Sequence, residues 1–234
     1  MDVRISPSLM CCDLMRIGEE IRTLEPLADE FHFDILDWHY CKNLSLAPSF
    51  LAGARTITDK PLEAHLYVDN VEDDLVELCL ASGASMVTVD PQVAGEHAPR
   101  FARMCHERGA GFGLFLNPAT PLSEVEPHLE VVDRLLMLTV EPGFPGQEFQ
   151  EPVLAKIEAA ATLRERLGLS FDIEADGCCN ERWYRALRDA GTDTFVLGGS
   201  GLFSKAETTA DAMAVCRAEL ERALATGAPN PCCT

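Results

Sequence analysis

Short apolar runs alternate with longer amphipathic stretches along almost the whole chain. The apolar runs are rich in Val, Ile, Leu and Phe, which is typical of strands buried on both faces of a parallel sheet. These runs predict strands at residues 3–6, 31–35, 62–66, 86–89, 112–116, 135–140, 171–175 and 194–197. The stretches between them predict helices at residues 14–27, 73–81, 98–108, 152–167, 181–190 and 206–225.

Eight strands interleaved with helices favour an α/β fold, a closed parallel (β/α)8 TIM barrel, over an open doubly wound sheet. The Gly-x-Gly-x-x-Gly fingerprint of dinucleotide-binding sheets does not follow the first predicted strand. A length of 234 residues suits one barrel, and no change in composition marks a second domain. We therefore predict a single barrel domain over residues 1–225. Residues 226–234 are expected to form a disordered tail.

Composition and charge narrow the classes of partner. The chain is 47% hydrophobic and 24% charged, as in ordinary globular proteins, and no apolar run is long enough to span a membrane. A formal net charge of -19 disfavours nucleic acid and anionic membranes, because binding to phosphate-rich surfaces needs a basic face. The N-terminal segment does not resemble a signal peptide, and the ten cysteines include no Cys-x-x-Cys motif. We expect a cytoplasmic protein with reduced thiols.

Ionisable residues stand in pairs, two positions apart, near the ends of three predicted strands. The pairs are His32 with Asp34, Glu63 with His65, and Glu174 with Asp176. Because side chains alternate along a strand, both members of a pair point into the barrel, and functional residues collect at the C-terminal strand ends. One such histidine could simply be a hydrogen-bonded core residue. Three pairs predict a bound divalent cation, since burying unpaired charges is costly.

Glycine-rich loops follow the last three predicted strands. They span residues 141–147, with Gly143 and Gly146, residues 176–180, with Gly177, and residues 198–201, with Gly199 and Ser200. Glycine lets the backbone approach an anion closely, and barrels often bind phosphate after strands seven and eight. Taken alone, a Gly-Gly-Ser-Gly run is equally a simple turn. Its place after the last strand indicates a phosphate site.

These same residues carry a resemblance to the ribulose-phosphate 3-epimerase family, and it extends from Ile5 to the last helix. The matching motifs are Ser6-Pro-Ser8, His32-x-Asp34-x-x-Asp37, Pro61-Leu-Glu-Ala-His-Leu66, Thr139-Val-Glu-Pro-Gly-Phe144, Ile173-Glu-Ala-Asp-Gly177 and Gly199-Ser-Gly201. Residues 43–48, 179–180 and 200–203 are more similar to the branch that acts on D-allulose 6-phosphate than to the pentose branch.

The resemblance implies an isomerase that inverts C3 of a phosphorylated ketose by moving a proton. It implies one divalent metal ion, most simply zinc, with iron, manganese or cobalt as alternatives, and the ligands His32, Asp34, His65 and Asp176. Asp34 and Asp176 would also exchange the proton. The substrate-binding residues would be Ser8, Gly143, Gly146, Gly177, Gly199 and Ser200. Glu63 and Glu174, one layer deeper, would either orient the metal-bound histidines or be buried with water.

The resemblance also implies a homo-oligomer and leaves the ketose open between two pairs. The pair D-allulose 6-phosphate and D-fructose 6-phosphate is favoured, and D-ribulose 5-phosphate with D-xylulose 5-phosphate is the alternative. Departures from the family pattern are expected to alter the pocket wall. They are Leu36, Trp38, Lys42, Tyr67, Asp90 and Leu138. Leu36 and Leu138 keep the volume of the methionines usual in the family, and Trp38 is equally interpreted as a packed loop residue.

Two other enzyme classes, a decarboxylase and an aldolase, would need lysines that the predicted strand ends lack. A related barrel decarboxylase would need a lysine between Asp34 and Asp37, where Ile35 and Leu36 stand. No lysine ends a predicted strand, which disfavours an aldolase that forms a Schiff base. A barrel that binds a sugar phosphate without catalysis remains an alternative.

Overall fold

The computed structural model describes residues 3–225, in which eight parallel strands are surrounded by helices. The strands are β1 (Arg4–Pro7), β2 (Phe31–Leu36), β3 (Leu62–Tyr67), β4 (Met86–Val89), β5 (Gly111–Leu116), β6 (Arg134–Leu138), β7 (Asp172–Asp176) and β8 (Thr194–Leu197). The helices are α1 (Ile17–Leu24), α2 (Pro48–Arg55), α3 (Asp73–Ala81), α4 (Pro91–Ala94), α5 (Ala98–Glu107), α6 (Pro152–Leu167), α7 (Tyr184–Ala190) and α8 (Thr209–Leu224). Two 3-10 turns, Leu122–Glu124 and Glu126–His128, connect β5 to β6.

The strand order closes the sheet into a ring. Neighbouring strands pair in the order β1-β8-β7-β6-β5-β4-β3-β2. A parallel bridge between Ser8 and His32 then joins the two ends, and the Asp29 amide donates to the carbonyl oxygen of Ile5 at 2.8 Å. The predicted single-domain barrel is confirmed. The expected disorder of residues 226–234 lies outside the described residues and stays a prediction.

All eight predicted strands are present: β4 and β8 have the predicted ends, and the ends of the other six differ by at most two residues. Two helices were missed. Helix α2 begins with Pro48 at its first turn and contains Gly53, so its sequence resembles a loop more than an amphipathic helix. The short α4 follows Asp90, whose carboxylate accepts from the amides of Gln92 and Val93. The predicted helix at residues 14–27 is divided into a 3-10 turn, Leu14–Arg16, and α1.

Alternation along the strands separates an apolar layer from a polar barrel interior. On β2, Phe31, Phe33 and Ile35 belong to the main core between strands and helices. His32 and Asp34 point the other way, opposite residues 63 and 65 of β3. Because every residue of β2 and β3 is buried, the polar interior residues must find partners inside the barrel.

Two further expectations concern the chain as a whole. Within residues 3–225, no helix is long and apolar enough to cross a membrane. The eight described cysteines are free, and reduced thiols stay a prediction.

Candidate active site

Four ionisable side chains from three strands meet at the C-terminal mouth of the barrel, and we call them the mouth cluster. They are His32 and Asp34 of β2, His65 of β3 and Asp176 of β7. His32 Nε2 lies 2.9 Å from His65 Nδ1 and 3.2 Å from Asp34 Oδ1. Asp176 Oδ2 lies 3.6 Å from His65 Nδ1 and 3.8 Å from His32 Nε2. The structure thus brings the four predicted metal ligands together.

The donor atoms of the mouth cluster fit a divalent cation. All four lie within 4.8 Å of one another. A tetrahedral site with bonds of about 2.0–2.1 Å requires donor atoms about 3.3 Å apart. The separations that involve the histidine nitrogens range from 2.9 to 3.8 Å and bracket that value. Two imidazoles and two carboxylates are a donor set suited to zinc and neighbouring transition metals.

The two carboxylates of the mouth cluster are held differently. Asp34 Oδ2 accepts from the Ser8 hydroxyl at 2.7 Å, whereas Asp176 Oδ2 accepts from the Tyr67 hydroxyl at 3.2 Å. Burial favours the neutral form of Asp34, but the two histidines outweigh it and lower the pKa of this carboxyl below its usual range. Burial, together with the charge of Asp34, raises the pKa of Asp176. Carboxyl pairs whose pKa values are pushed apart are typical of acid/base sites.

A buried carboxylate anchors one histidine from below. His32 Nδ1 donates to Glu63 Oε2 at 3.0 Å, and the Thr88 hydroxyl donates to Glu63 Oε1 at 2.5 Å. Because a carboxylate can only accept, the contact places a proton on Nδ1 and leaves Nε2 facing the cluster. Of the two roles expected for Glu63, the geometry favours orientation of His32.

Sequence reasoning missed an arginine beneath the mouth cluster. Arg134, the first residue of β6, is only 2% exposed. Its Nη1 donates to Glu63 Oε2 at 2.8 Å and to Glu174 Oε2 at 3.3 Å. Its Nη2 donates to Glu30 Oε2 at 3.0 Å. We call these four residues the core cluster. Arg134 follows Asp133 at the start of an apolar run, so its sequence resembles a surface turn and carries no local signal of burial.

The core cluster and its burial also shift the pKa of Glu174. Burial raises the pKa of Glu174 well above its usual range, Arg134 opposes this shift, and the charge of Glu63 reinforces it. The pKa of Glu63 shifts in the opposite direction. Burial opposes its ionisation, but Arg134 and His32 together lower the pKa of Glu63 well below its usual range. Glu174 therefore completes the surroundings of Arg134, and Glu63 is the carboxylate that connects to His32.

A pocket opens above the mouth cluster. Its lining includes Asp34, Asp176 and all six predicted substrate-binding residues, which are Ser8, Gly143, Gly146, Gly177, Gly199 and Ser200. Gly177 adopts a φ of +102°, and a Cβ there would lie 2.6 Å from a methyl of Val140. Within residues 3–225 no Lys or Arg lines this pocket. A bound phosphate would therefore depend on backbone N–H and hydroxyl groups.

Only three of the six departures from the family pattern lie in the pocket wall. Leu36, Tyr67 and Leu138 line the pocket and pack together. Trp38 is 51% exposed and adopts a φ of +73°, while Lys42 Nζ donates to the carbonyl oxygen of Trp38 at 3.2 Å. The expectation that Trp38 and Lys42 alter the wall is wrong, because the turn after β2 exposes both side chains.

The sixth departure, Asp90, lies behind the pocket wall and contacts it through Tyr40. The Tyr40 hydroxyl donates to Asp90 Oδ2 at 2.5 Å and accepts from Asn117 Nδ2 at 2.6 Å. The Tyr40 ring packs 5.9 Å from Tyr67 and 5.7 Å from Phe115, measured between centroids. Asp90 and Asn117 therefore fix Tyr40, and Tyr40 supports the position of Tyr67.

Known proteins of similar sequence share most of their length with this chain. Ribulose-phosphate 3-epimerase 1 from Cupriavidus necator is 36% identical over 203 residues, which cover 85% of this chain and 83% of the relative. Ribulose-phosphate 3-epimerase from Escherichia coli is 35% identical over 198 residues, covering 84% and 87%. The Bacillus subtilis protein of that name is 31% identical over 200 residues, covering 85% and 91%.

Solved structures with a similar fold are more distant in sequence. A structure of KGPDC from Streptococcus mutans has a TM-score of 0.73 at 13% identity and covers 96% of this chain and 100% of its own. A tryptophan synthase alpha-subunit from Pyrococcus furiosus has a TM-score of 0.67 at 14% identity, covering 95% and 98%. At these identities the likeness concerns the barrel alone. The sequence profile of the ribulose-phosphate 3 epimerase family, in contrast, matches residues 4–203. Together with relatives that are more than 30% identical over most of its length, this match shows that the chain belongs to the ribulose-phosphate 3-epimerase family.

Proposed function

We propose that this protein is a metal-dependent ketose-phosphate 3-epimerase in which Asp34 and Asp176 exchange the proton at C3. Its relatives are named as ribulose-phosphate 3-epimerases, which are isomerases of sugar phosphates. The observation that carries the proposal is the placement of two carboxylates in one pocket, on strands that β1 and β8 separate. Both carboxylates lie within 4 Å of the same histidine nitrogen.

Inversion of a carbon beside a ketone needs a proton acceptor on one face and a donor on the other. Asp34 and Asp176 approach the pocket from two sides and suit these two roles. Ser8 holds Oδ2 of Asp34, and Tyr67 holds Oδ2 of Asp176, so each carboxyl group has a fixed orientation. A divalent cation bound by the mouth cluster would supply Lewis-acid stabilisation of the negative charge that develops on the substrate oxygens.

The rest of the pocket supports binding and the exclusion of water. The glycines of the three late loops and Ser200 would hold the phosphate through backbone N–H and hydroxyl groups. Leu36 and Leu138 provide an apolar wall beside the carboxylates. Excluding water from this wall strengthens the electrostatic interactions inside the pocket.

Two ketose pairs are candidates, and each has one observation in its favour. The motifs at residues 43–48, 179–180 and 200–203 favour D-allulose 6-phosphate and D-fructose 6-phosphate. The names of the relatives favour D-ribulose 5-phosphate and D-xylulose 5-phosphate. Zinc as the metal, a cytoplasmic location and a homo-oligomeric state complete the proposal. Light scattering coupled to size-exclusion chromatography tests the last of these.

The proposal is tested by exchange of the C3 proton in D2O, followed by NMR. D-ribulose 5-phosphate and D-allulose 6-phosphate are incubated in parallel with the Zn2+-loaded protein and with chelator-treated protein. With one of the two ketoses, we expect exchange of the C3 proton and formation of the epimer. Chelation should abolish both exchange and epimer formation, and addition of Zn2+ should restore them. Absence of exchange with either ketose in metal-loaded protein would overturn the proposal and favour a barrel that only binds sugar phosphates.

A further inference from the structure

One oxygen atom connects the core cluster to the mouth cluster. Glu63 Oε2 accepts from Arg134 Nη1 at 2.8 Å and from His32 Nδ1 at 3.0 Å. The other oxygen of Glu63 accepts from Thr88. The carboxylate of Glu63 is therefore held by three donors, two of which meet at the atom that orients His32. Any rotation of this carboxylate would break contacts with both Arg134 and Thr88.

Arg134 is itself held from several sides. Its two terminal nitrogens both contact Glu30, at 2.8 Å from Nη1 and 3.0 Å from Nη2. Glu174 lies 3.3 Å from Nη1 on a third side. A guanidinium is planar and presents its donors in a fixed arrangement, so these partners define its orientation. The orientation is transmitted to Glu63 because Arg134 and Glu63 are both nearly completely buried.

The two histidines differ in how they are anchored. His65 Nε2 is buried and has no hydrogen-bond partner among the described residues. His32, in contrast, is anchored on Nδ1 by Glu63, and its Nε2 lies 2.9 Å from His65 Nδ1. The imidazole pair is therefore anchored to the barrel core by the hydrogen bond between His32 and Glu63.

We propose that Arg134 is a positioning residue for the metal centre, where it holds Glu63 so that the Nε2 lone pair of His32 stays directed at a bound divalent cation. This inference rests on the proposed function, because it requires a cation in the mouth cluster. Arg134 lies outside that cluster and outside the pocket lining. It acts only through Glu63, and its loss would leave Glu63 in place without one of the three donors that hold its carboxylate.

The test measures Zn2+ affinity by competition with a chromogenic chelator. In Arg134→Met, which keeps a long apolar side chain, we expect the dissociation constant to rise by roughly 10- to 100-fold, as is typical when residues behind metal ligands are changed. Arg134→Lys should give an intermediate value, because a single ammonium cannot hold Glu30 and Glu63 as the planar guanidinium does. His65→Ala is the reference for specific binding, because Zn2+ binding that this variant loses belongs to the mouth cluster.

Glu30→Gln is the matched control. It removes the negative charge of Glu30, but the amide oxygen of Gln can still accept from Arg134 Nη2 and keep the guanidinium oriented towards Glu63. We expect it to lower stability to urea and to leave Zn2+ affinity unchanged. A second readout is the Nδ1 proton of His32 in Zn2+-loaded protein, observed by 1H–15N NMR. This signal should be present and protected from exchange in the wild type and in Glu30→Gln, and broadened or lost in Arg134→Met.

Several outcomes overturn the inference. One is an Arg134→Met protein that folds and binds Zn2+ as tightly as the wild type. Another is an equal loss of affinity in Glu30→Gln, which would indicate general loosening of the barrel core. If Arg134→Met does not fold, Arg134→Lys decides, and wild-type affinity in that variant overturns the inference. A wild-type protein that binds no Zn2+ through His65 would instead contradict the metal centre of the proposed function.

Discussion

The barrel interior contains two clusters of ionisable groups, one above the other, and they differ in where the compensating positive charge comes from. The core cluster combines three carboxyl groups with the guanidinium of Arg134, so its cation is covalently part of the chain. The mouth cluster combines two carboxyl groups with two imidazoles, and within residues 3–225 no Lys or Arg contacts it. One cluster is closed, and the other opens to the pocket through Asp176, whose side chain is 14% exposed.

This difference indicates where a barrel can bind ions and substrates from solution. Buried carboxylates require a cation, since the cost of leaving them unpaired is several kcal/mol. A permanent arginine, itself only 2% exposed, meets that requirement deeper in the barrel. At the mouth, the proposed metal ion would meet the same requirement, and a substrate in the pocket could reach both that ion and the carboxylates. The two clusters share the chain Arg134–Glu63–His32, so each contributes to the geometry of the other.

The largest expected effect is on turnover and belongs to the mouth cluster. Asp34→Asn and Asp176→Asn each remove a proton-exchanging carboxylate and should lower kcat by about 10²–10⁴-fold. The fold should persist, as judged by circular dichroism and urea unfolding. Asp189→Asn, which changes an exposed carboxylate on α7, is the control and should retain full activity. Near-normal turnover in either mouth variant would contradict the two-carboxylate mechanism.

The largest effect on stability belongs to the core cluster. Arg134→Met leaves three buried carboxyl groups without their cation, and breaking a buried ion pair in this way costs about 3–5 kcal/mol. We expect the free energy of unfolding in urea to fall by that amount. Arg100→Met removes an exposed arginine that pairs with the exposed Asp73 and should change stability by less than about 1 kcal/mol. Equal effects of the two substitutions would remove the distinction between the core cluster and the surface.

Removal of metal should affect only the mouth cluster. At a free Zn2+ concentration about 100 times the dissociation constant, binding stabilises a protein by about 2.7 kcal/mol. For a chain of this length that corresponds to a rise in Tm of roughly 5–10 °C over chelator-treated protein. His65→Ala should show no such rise, and its Tm should be the same with and without Zn2+. A Zn2+-dependent rise that survives in His65→Ala would place the binding site elsewhere.

The smallest expected effect concerns the orientation of Asp176. Tyr67→Phe removes one hydroxyl and its hydrogen bond to Asp176 Oδ2, while the ring can keep its packing against Tyr40 and Phe115. A single hydrogen bond of this kind is worth about 0.5–1.5 kcal/mol, so kcat/KM should fall by a few-fold. Thr56→Val removes an exposed hydroxyl that donates to the carbonyl oxygen of Gly53 outside the pocket lining, and it serves as the control, with kcat/KM unchanged. An unchanged kcat/KM in Tyr67→Phe would mean that this contact does not orient Asp176 for proton exchange.

Local signals made much of the barrel and of the mouth cluster predictable. The alternation of polar and apolar residues on β2, β3 and β7 indicated which side chains face the interior, and the described residues follow that pattern. Helix α2 was missed because Pro48 and Gly53 weaken its periodic pattern. Trp38 and Lys42 were misplaced because a one-residue change of backbone direction at φ +73° turns them out to solvent.

The sequence by itself determined the eight strands, the barrel and the residue types at the strand ends, because strand periodicity and glycine turns are properties of neighbouring positions. Only the tertiary structure decided the partners of those residues. Arg134 meets carboxylates that precede it by 71 and 104 positions and follow it by 40. The Tyr67 hydroxyl meets Asp176 across 109 positions. Such contacts depend on strand register and on closure of the ring, and no local pattern of hydrophobic residues encodes either.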